Sequence, residues 1–158
     1  MGILDFFKGD DVEDHRETVK RYLKDFGLKE GEDYWQDESG NYYCSGVNSG
    51  AYLYVASGWG EEGSEKVAYF SVFVPLIHIP KTNILPFYRR LLEICFDYPF
   101  VPIGIDGDVV YASLARPVNG LNRDEVAWNI VQIDYAARFI RTEIAQEFNA
   151  PLYDFDNE

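Results

Sequence analysis

Apolar residues recur at helical spacing in three parts of the chain. The first predicted helix runs from about Val12 to Phe26, and Gly27 is well placed to end it. A second begins near Thr82 or Asn83 and ends before Pro99. Its predicted inward-facing residues are Ile84, Phe87, Tyr88, Leu91, Leu92 and Cys95.

The third predicted helix opens with a capping pattern and runs to about Phe148. Asn122 is the expected N-cap, and Glu125 follows three residues later, near the positive end of the helix. An apolar stripe then repeats at intervals of four and three residues: Val126, Ile130, Ile133, Ala137, Ile140 and Ile144. Trp128, Val131, Tyr135 and Phe139 widen it, so we expect this helix to contact both a sheet and a further element, such as the first helix or a second subunit.

The remaining apolar runs are β-rich and lie between short polar breaks. Three strands are predicted between the first two helices, at Tyr42–Cys44, Ala51–Ala56 and Val67–Val74. Pro75 and Pro80 are expected to end the third, because proline donates no hydrogen bond. Asp106-Gly107 lies between two further runs within 103–114 and predicts a tight hairpin.

The order of elements is therefore α-βββ-α-ββ-α, which predicts an α+β fold. Short turns join the strands, so the five-stranded sheet should be mainly antiparallel, with the helices on one face. The 158 residues fit one domain, which we place at 12–150 between an N-terminal arm (1–11) and an acidic C-terminal tail (151–158). No apolar stretch approaches the roughly 20 residues that span a bilayer, and the start lacks a signal-peptide pattern, which indicates a cytoplasmic protein.

Alternation along the strands groups four tyrosines on one face of the sheet. If the aliphatic residues face the helices, Tyr52, Tyr54, Tyr69 and Tyr111 share the opposite face. Tyrosine combines a large rigid ring with a polar tip, which suits a partner-binding or dimer face. The alternative is that the tyrosines pair across strands with their hydroxyls in water. Trp59, between two glycines in a loop, is either a partner anchor or a peripheral core contact.

The net charge of −13 argues against nucleic acid as a partner, because phosphate contacts need clustered Lys and Arg. Residues 1–40 hold twelve acidic against six basic side chains, and residues 121–158 hold eight against three. Such a surface favours a basic protein partner, or it serves solubility alone.

Catalytic chemistry has no recognisable pattern in this sequence. Cys44 and Cys95 are too few and too far apart for a disulfide framework or a zinc site, and are expected to be reduced structural residues. Neither GxSxG nor HExxH occurs. We therefore predict a protein that is not an enzyme and has no metal, catalytic residue or cofactor.

Two segments carry a resemblance to a known family. Leu85-Pro-Phe-Tyr-Arg-Arg-Leu-Leu-Glu-Ile-Cys95 resembles the second helix of the YbjN-like proteins, bacterial proteins proposed to regulate sensory transduction. The run from Gly107 to Leu121 resembles their hairpin and following loop. The resemblance covers roughly residues 40–150. It implies a fold similar to that of type III secretion chaperones, with a curved antiparallel sheet and three helices, in proteins that are usually dimeric and bind other proteins.

The working hypothesis is a homodimeric, non-enzymatic protein, chaperone-like or regulatory. It would hold a segment of a partner protein on the open, tyrosine-rich sheet face, with Tyr52, Tyr54, Tyr69, Tyr111 and Trp59 as the contact residues. The alternative is a regulatory protein that senses a small ligand in a pocket between sheet and helices.

Overall fold

The computed structural model describes residues 13–45, 50–57 and 68–155. Within them, six strands form one antiparallel sheet in the order β1-β2-β3-β4-β6-β5. The strands are β1 (Tyr34–Gln36), β2 (Tyr42–Cys44), β3 (Ala51–Ser57), β4 (Ala68–His78), β5 (Ile103–Asp106) and β6 (Val109–Pro117). The helices are α1 (Glu13–Asp25), α2 (Ile84–Asp97), α3 (Arg123–Phe139), a π-helical turn (Ile140–Ile144) and α4 (Ala145–Phe148). The α+β class and the antiparallel sheet are confirmed.

The sheet has six strands where the sequence predicted five, because Tyr34–Gln36 forms β1. A turn over Asp37–Asn41 joins it to β2, and one carboxylate oxygen of Asp37 accepts from the amides of Ser39 (2.9 Å) and Asn41 (2.8 Å). A turn held by a side-chain carboxylate can join two very short strands. A three-residue strand in an acidic stretch is too short to show a periodic hydrophobic pattern, so β1 was not predicted.

The core lies between the helices and one face of the sheet. Leu53 pairs with Val72 and Val55 with Phe70, and all four are fully buried. All six residues of the predicted third-helix stripe are buried in the same core. The capping box also forms: the Asn122 side chain accepts from the Glu125 amide, and the Glu125 carboxylate accepts from the Asn122 amide.

Two predicted strand ends differ from the structure. β4 continues through Pro75 to His78, with a bulge between Pro75 and Ile77. The pairing of β4 with β3 ends at Phe73, so the missing amide of Pro75 removes no bond to that strand. In the hairpin, Asp106 pairs with Val109, and the two turn residues are Gly107 and Asp108, one position later than predicted.

The outward face of α2 differs from the prediction. Phe87, Leu91 and Ile94 are buried, whereas Ile84 and Leu92 were predicted inward and are exposed. Which side of α2 is buried depends on how the helix lies on the sheet. A helix that is apolar on more than one side does not show from its sequence which side that is.

Candidate functional site

Five aromatic side chains form a continuous row across β1, β2, β3 and β4, on the sheet face opposite the helices. We call this set the aromatic row: Trp35, Tyr43, Tyr52, Tyr54 and Phe73. The successive ring centroids are 6.0, 5.1, 6.4 and 5.4 Å apart. Strand register explains the row, because Trp35 lies opposite Tyr43, Tyr43 opposite Tyr52, and Tyr52 opposite Phe73.

The members of the row differ in exposure. Trp35 is 42% exposed, and Tyr43, Tyr52 and Phe73 are half-buried. Tyr54 is only 7% exposed, and burial raises the pKa of its hydroxyl well above the ordinary value. The Tyr54 ring is therefore buried within the row, and the neighbouring rings form the accessible surface.

Two other predicted contact residues, Tyr69 and Tyr111, lie on the same sheet face beside the row. Tyr69 is opposite Pro117, and Tyr111 is opposite Pro75, so both share the face of Tyr52 and Tyr54 but flank the row. Both are half-buried. Trp59 lies outside the described residues.

The C-terminal segment, residues 151–155, lies on the same face. The ring centroid of Phe155 is 5.7 Å from that of Tyr43 and 6.3 Å from that of Tyr52. Tyr153 stacks on His78 at 5.9 Å and meets Phe155 edge-on at 5.0 Å. From the sequence, residues 151–158 are predicted only as an acidic tail. The alternation of aromatic and acidic residues from Tyr153 to Asp156 was the available signal for a segment with its rings on one side.

Backbone hydrogen bonds attach this segment to β4. The His78 amide donates to the Pro151 carbonyl at 2.8 Å, and the Tyr153 amide donates to the Leu76 carbonyl at 3.2 Å. Leu152 lies opposite Ile77 in an antiparallel bridge. The segment thus pairs with the part of β4 that extends beyond its ladder with β3.

Arg141, in the π-helical turn, also contacts the C-terminal segment. Its guanidinium donates to the Tyr153 carbonyl at 3.1 Å and lies 5.7 Å from the centre of the Phe155 ring. Burial lowers the pKa of Arg141, because desolvation disfavours the charged form.

A second apolar surface lies on the outside of the helices. We call it the helix stripe: Leu85, Leu92, Phe96 and Phe100 on and after α2, with Trp128, Val131 and Tyr135 on α3. All seven are exposed, Leu92 by 71% and Phe96 by 86%. Tyr98 joins the two groups, since its ring centroid is 6.4 Å from that of Tyr135.

Three features of the described residues bear on catalysis and ligand binding. Among them no group of three or more His, Cys, Asp or Glu side chains could hold a metal ion. Burial raises the pKa of the Cys44 thiol to about 12, so at neutral pH it is not a nucleophilic thiolate. An open depression lined by α2 residues, among them Arg89, Leu92 and Phe96, lies on the outer surface of the molecule and not between sheet and helices. No helix in the described part of the chain is both long and apolar enough to cross a membrane.

Known structures share this arrangement of strands and helices. YbjN from E. coli, a proposed transcription regulator, matches with a TM-score of 0.59 and 14% identity, over 87% of this chain and 94% of its own. A chain of the HopA1–SchA chaperone–effector complex matches with a TM-score of 0.55 and 12% identity, over 84% of this chain and 98% of its own. No family model and no curated protein matches the sequence. The resemblance seen in the sequence is confirmed as a fold shared with YbjN and with a chain of this chaperone–effector complex.

Proposed function

We propose that this protein is a non-enzymatic, chaperone-like module that binds a segment of a partner protein on the sheet face bearing the aromatic row. The observation that carries the proposal is the row itself, four strands wide and accessible at Trp35, Tyr43 and Tyr52. One structural neighbour is part of a chaperone–effector complex and the other is described as a regulator, and neither description names an enzyme.

The aromatic row suits a partner that binds in an extended form. Rings that already contact one another lose little side-chain freedom when a ligand covers them. They offer apolar area together with hydroxyl groups that can bond to a peptide backbone. Tyr69 and Tyr111 extend the surface on either side, and the net charge of −13 favours a basic partner segment.

We also propose that the helix stripe is the interface of a homodimer. Exposed Leu and Phe side chains on one helix face, continued by Trp128 and Tyr135 on the next helix, are unusual for a surface that meets only water. Arg89 pairs with Glu93 at 3.0 Å beside Leu92, which places a polar pair next to the apolar side chains. The stripe and the aromatic row are on opposite sides of the core, so a dimer would leave both partner sites accessible.

A capture experiment with two matched variants tests the partner site. Trp35→Ser with Tyr52→Ser removes accessible rings from the sheet face, and Leu92→Ser with Phe96→Ser removes two exposed apolar side chains from the helices. Each protein is used as bait in a lysate of its native host, with mass spectrometry as readout and far-UV circular dichroism to verify folding. We expect a discrete partner with wild type and the helix variant, and its loss with the sheet variant.

Equal capture of that partner by wild type and the sheet variant would contradict the assignment of the sheet face. Absence of any specific protein with wild-type bait, at both low and moderate salt, would contradict the chaperone-like function itself.

A further inference from the structure

The geometry points to a peptide-binding groove between the end of β4 and the aromatic row, which the chain's own C-terminal segment occupies. We propose that its ligands are extended segments with aromatic residues two positions apart. A partner segment would have to displace residues 151–155. This inference rests on the proposed function and specifies both the kind of segment that binds and how binding is controlled.

The C-terminal segment pairs with β4 in the manner of an added β-strand. Leu76 and His78 contribute one carbonyl and one amide to it, at 3.2 and 2.8 Å, and Leu152 lies opposite Ile77. These are backbone contacts, so any extended segment without a proline at the donating position could make them. Strand addition of this kind takes its affinity from the main chain and its selectivity from alternate side chains.

The selectivity in this groove comes from two ring sites. Tyr153 lies on His78, and Phe155 lies against Tyr43 and Tyr52 with the Arg141 guanidinium nearby. Tyr153 and Phe155 have one residue between them, and their rings lie on the same side of the segment, with centroids 5.0 Å apart. Asp154, between them, is exposed. The groove therefore selects an aromatic-x-aromatic pattern.

Gly50 makes room for the second ring. A Cβ atom at position 50 would lie 2.9 Å from Cζ of Phe155, closer than side-chain carbons approach one another. Gly50 also has φ +64°, which favours glycine on its own account. The floor of this ring site is thus backbone, and the ring is packed more deeply than an ordinary surface contact would require.

The occupant of the groove lies at the molecular surface, which permits exchange. Pro151, Leu152 and Asp154 are exposed, so the segment lies where a competing segment can reach it. A segment tethered in the same chain competes at an effective concentration of about 1 mM. If the segment alone bound with a Kd of about 100 μM, its presence in the chain would weaken an added ligand about tenfold.

The test uses a fluorescein-labelled peptide with the sequence of residues 150–158 and measures its binding by fluorescence anisotropy. Wild-type protein is compared with the variant Tyr153→Ser with Phe155→Ser, in which the competing rings are lost. Neither residue belongs to the buried core, and Phe155→Ser alone provides the same comparison if the double variant folds poorly. We expect the variant to bind the peptide about tenfold more tightly than wild type. A second peptide with serine at both aromatic positions should bind neither protein.

Equal affinity of the labelled peptide for wild type and variant would overturn the proposal. So would absence of binding to the variant up to about 1 mM, or equal binding of the serine peptide. The experiment contains no partner protein, so its failure would leave the proposed function standing. Conversely, failure of the lysate capture would leave the groove and its ligand pattern standing.

Discussion

The ring of Phe155 lies directly over Gly50, and the side chain of any other residue at position 50 would collide with it. This contact joins the C-terminal segment to the start of β3, 105 positions earlier in the chain. It places an aromatic ring from the end of the chain beside Tyr43 and Tyr52.

Gly50→Ala should loosen the C-terminal segment as well as strain the backbone. We expect a loss of about 1–3 kcal/mol in the free energy of unfolding from the positive φ, and a further loss from the displaced ring. Amide hydrogen exchange at Tyr153 should accelerate, because the bond to Leu76 weakens when Phe155 moves.

Gly27→Ala is the matched control for this substitution. Gly27 also has a positive φ, +84°, but a Cβ there would have no neighbour within 4 Å. Urea unfolding of Gly27→Ala should show the loss in the free energy of unfolding that comes from the positive φ. Amide hydrogen exchange at Tyr153 should not become faster. Unchanged exchange at Tyr153 in Gly50→Ala would show that the contact does not hold the segment.

Tyr54 and Tyr69 should respond very differently to truncation, although both were predicted as contact residues. Tyr54→Ala removes a buried ring that contacts Tyr52 and Phe73, and should lower the free energy of unfolding by about 3–5 kcal/mol. Tyr69→Ala, at a half-buried position, should lower it by about 1 kcal/mol. Urea denaturation monitored by circular dichroism compares the two, and similar losses would contradict the assignment of Tyr54 to packing.

Leu92→Ser with Phe96→Ser should convert a dimer into a monomer without weakening the monomer. Both side chains are mostly exposed in the single chain, so the substitution removes little intrachain burial. We expect the dissociation constant of the dimer to rise at least about 100-fold, the effect of losing two contacts of about 1.4 kcal/mol each.

Sedimentation velocity over a range of protein concentrations measures this shift. Trp35→Ser, which removes an exposed ring from the opposite side of the molecule, is the control and should leave the association unchanged. A wild-type protein that remains monomeric at about 100 μM, well above the micromolar range of ordinary complexes, would contradict the interface.

Cys44 should make stability depend on pH above neutrality. Its pKa is about 12 in the folded protein and 9.0 as the ordinary value, so the unfolded chain releases this proton first as pH rises. The contribution of the buried thiol to the free energy of unfolding is therefore complete below about pH 9. It is lost between pH 9 and pH 12, by about 1.4 kcal/mol per pH unit.

The measurement is the difference in the free energy of unfolding between wild type and Cys44→Ala, at pH 8 and pH 10. Groups common to both proteins cancel in this difference. We expect the advantage of wild type to decrease by about 1.4 kcal/mol between pH 8 and pH 10, with most of the decrease above pH 9. A constant difference would mean that the thiol is accessible to water.

The elements that sequence analysis located well are those with a local cause. The capping box of Asn122 and Glu125 needs only four consecutive residues, and the stripe from Val126 to Ile144 repeats with the period of a single helix. The common face of Tyr52 and Tyr54 followed in the same way from the alternation of one strand.

The aromatic row and the C-terminal segment beside it depend on contacts between residues far apart in the sequence, which no local pattern reveals. Tyr43 lies beside Tyr52 only because of the register between β2 and β3, and Trp35 joins them through a strand of three residues. Leu92 was predicted inward because its helix is apolar on more than one side.

The class of fold, the limits of its helices and the parity of its longer strands could be predicted from the sequence, because they follow from spacing along the chain. Three further features could not be predicted in this way: which rings meet, the continuation of β4 past Pro75, and the contact of Tyr153 and Phe155 with the sheet. Those outcomes depend on strand register and on contacts between residues about 100 positions apart, such as Gly50 and Phe155. Many alternative pairings would satisfy the same local pattern, and packing of the whole chain selects among them.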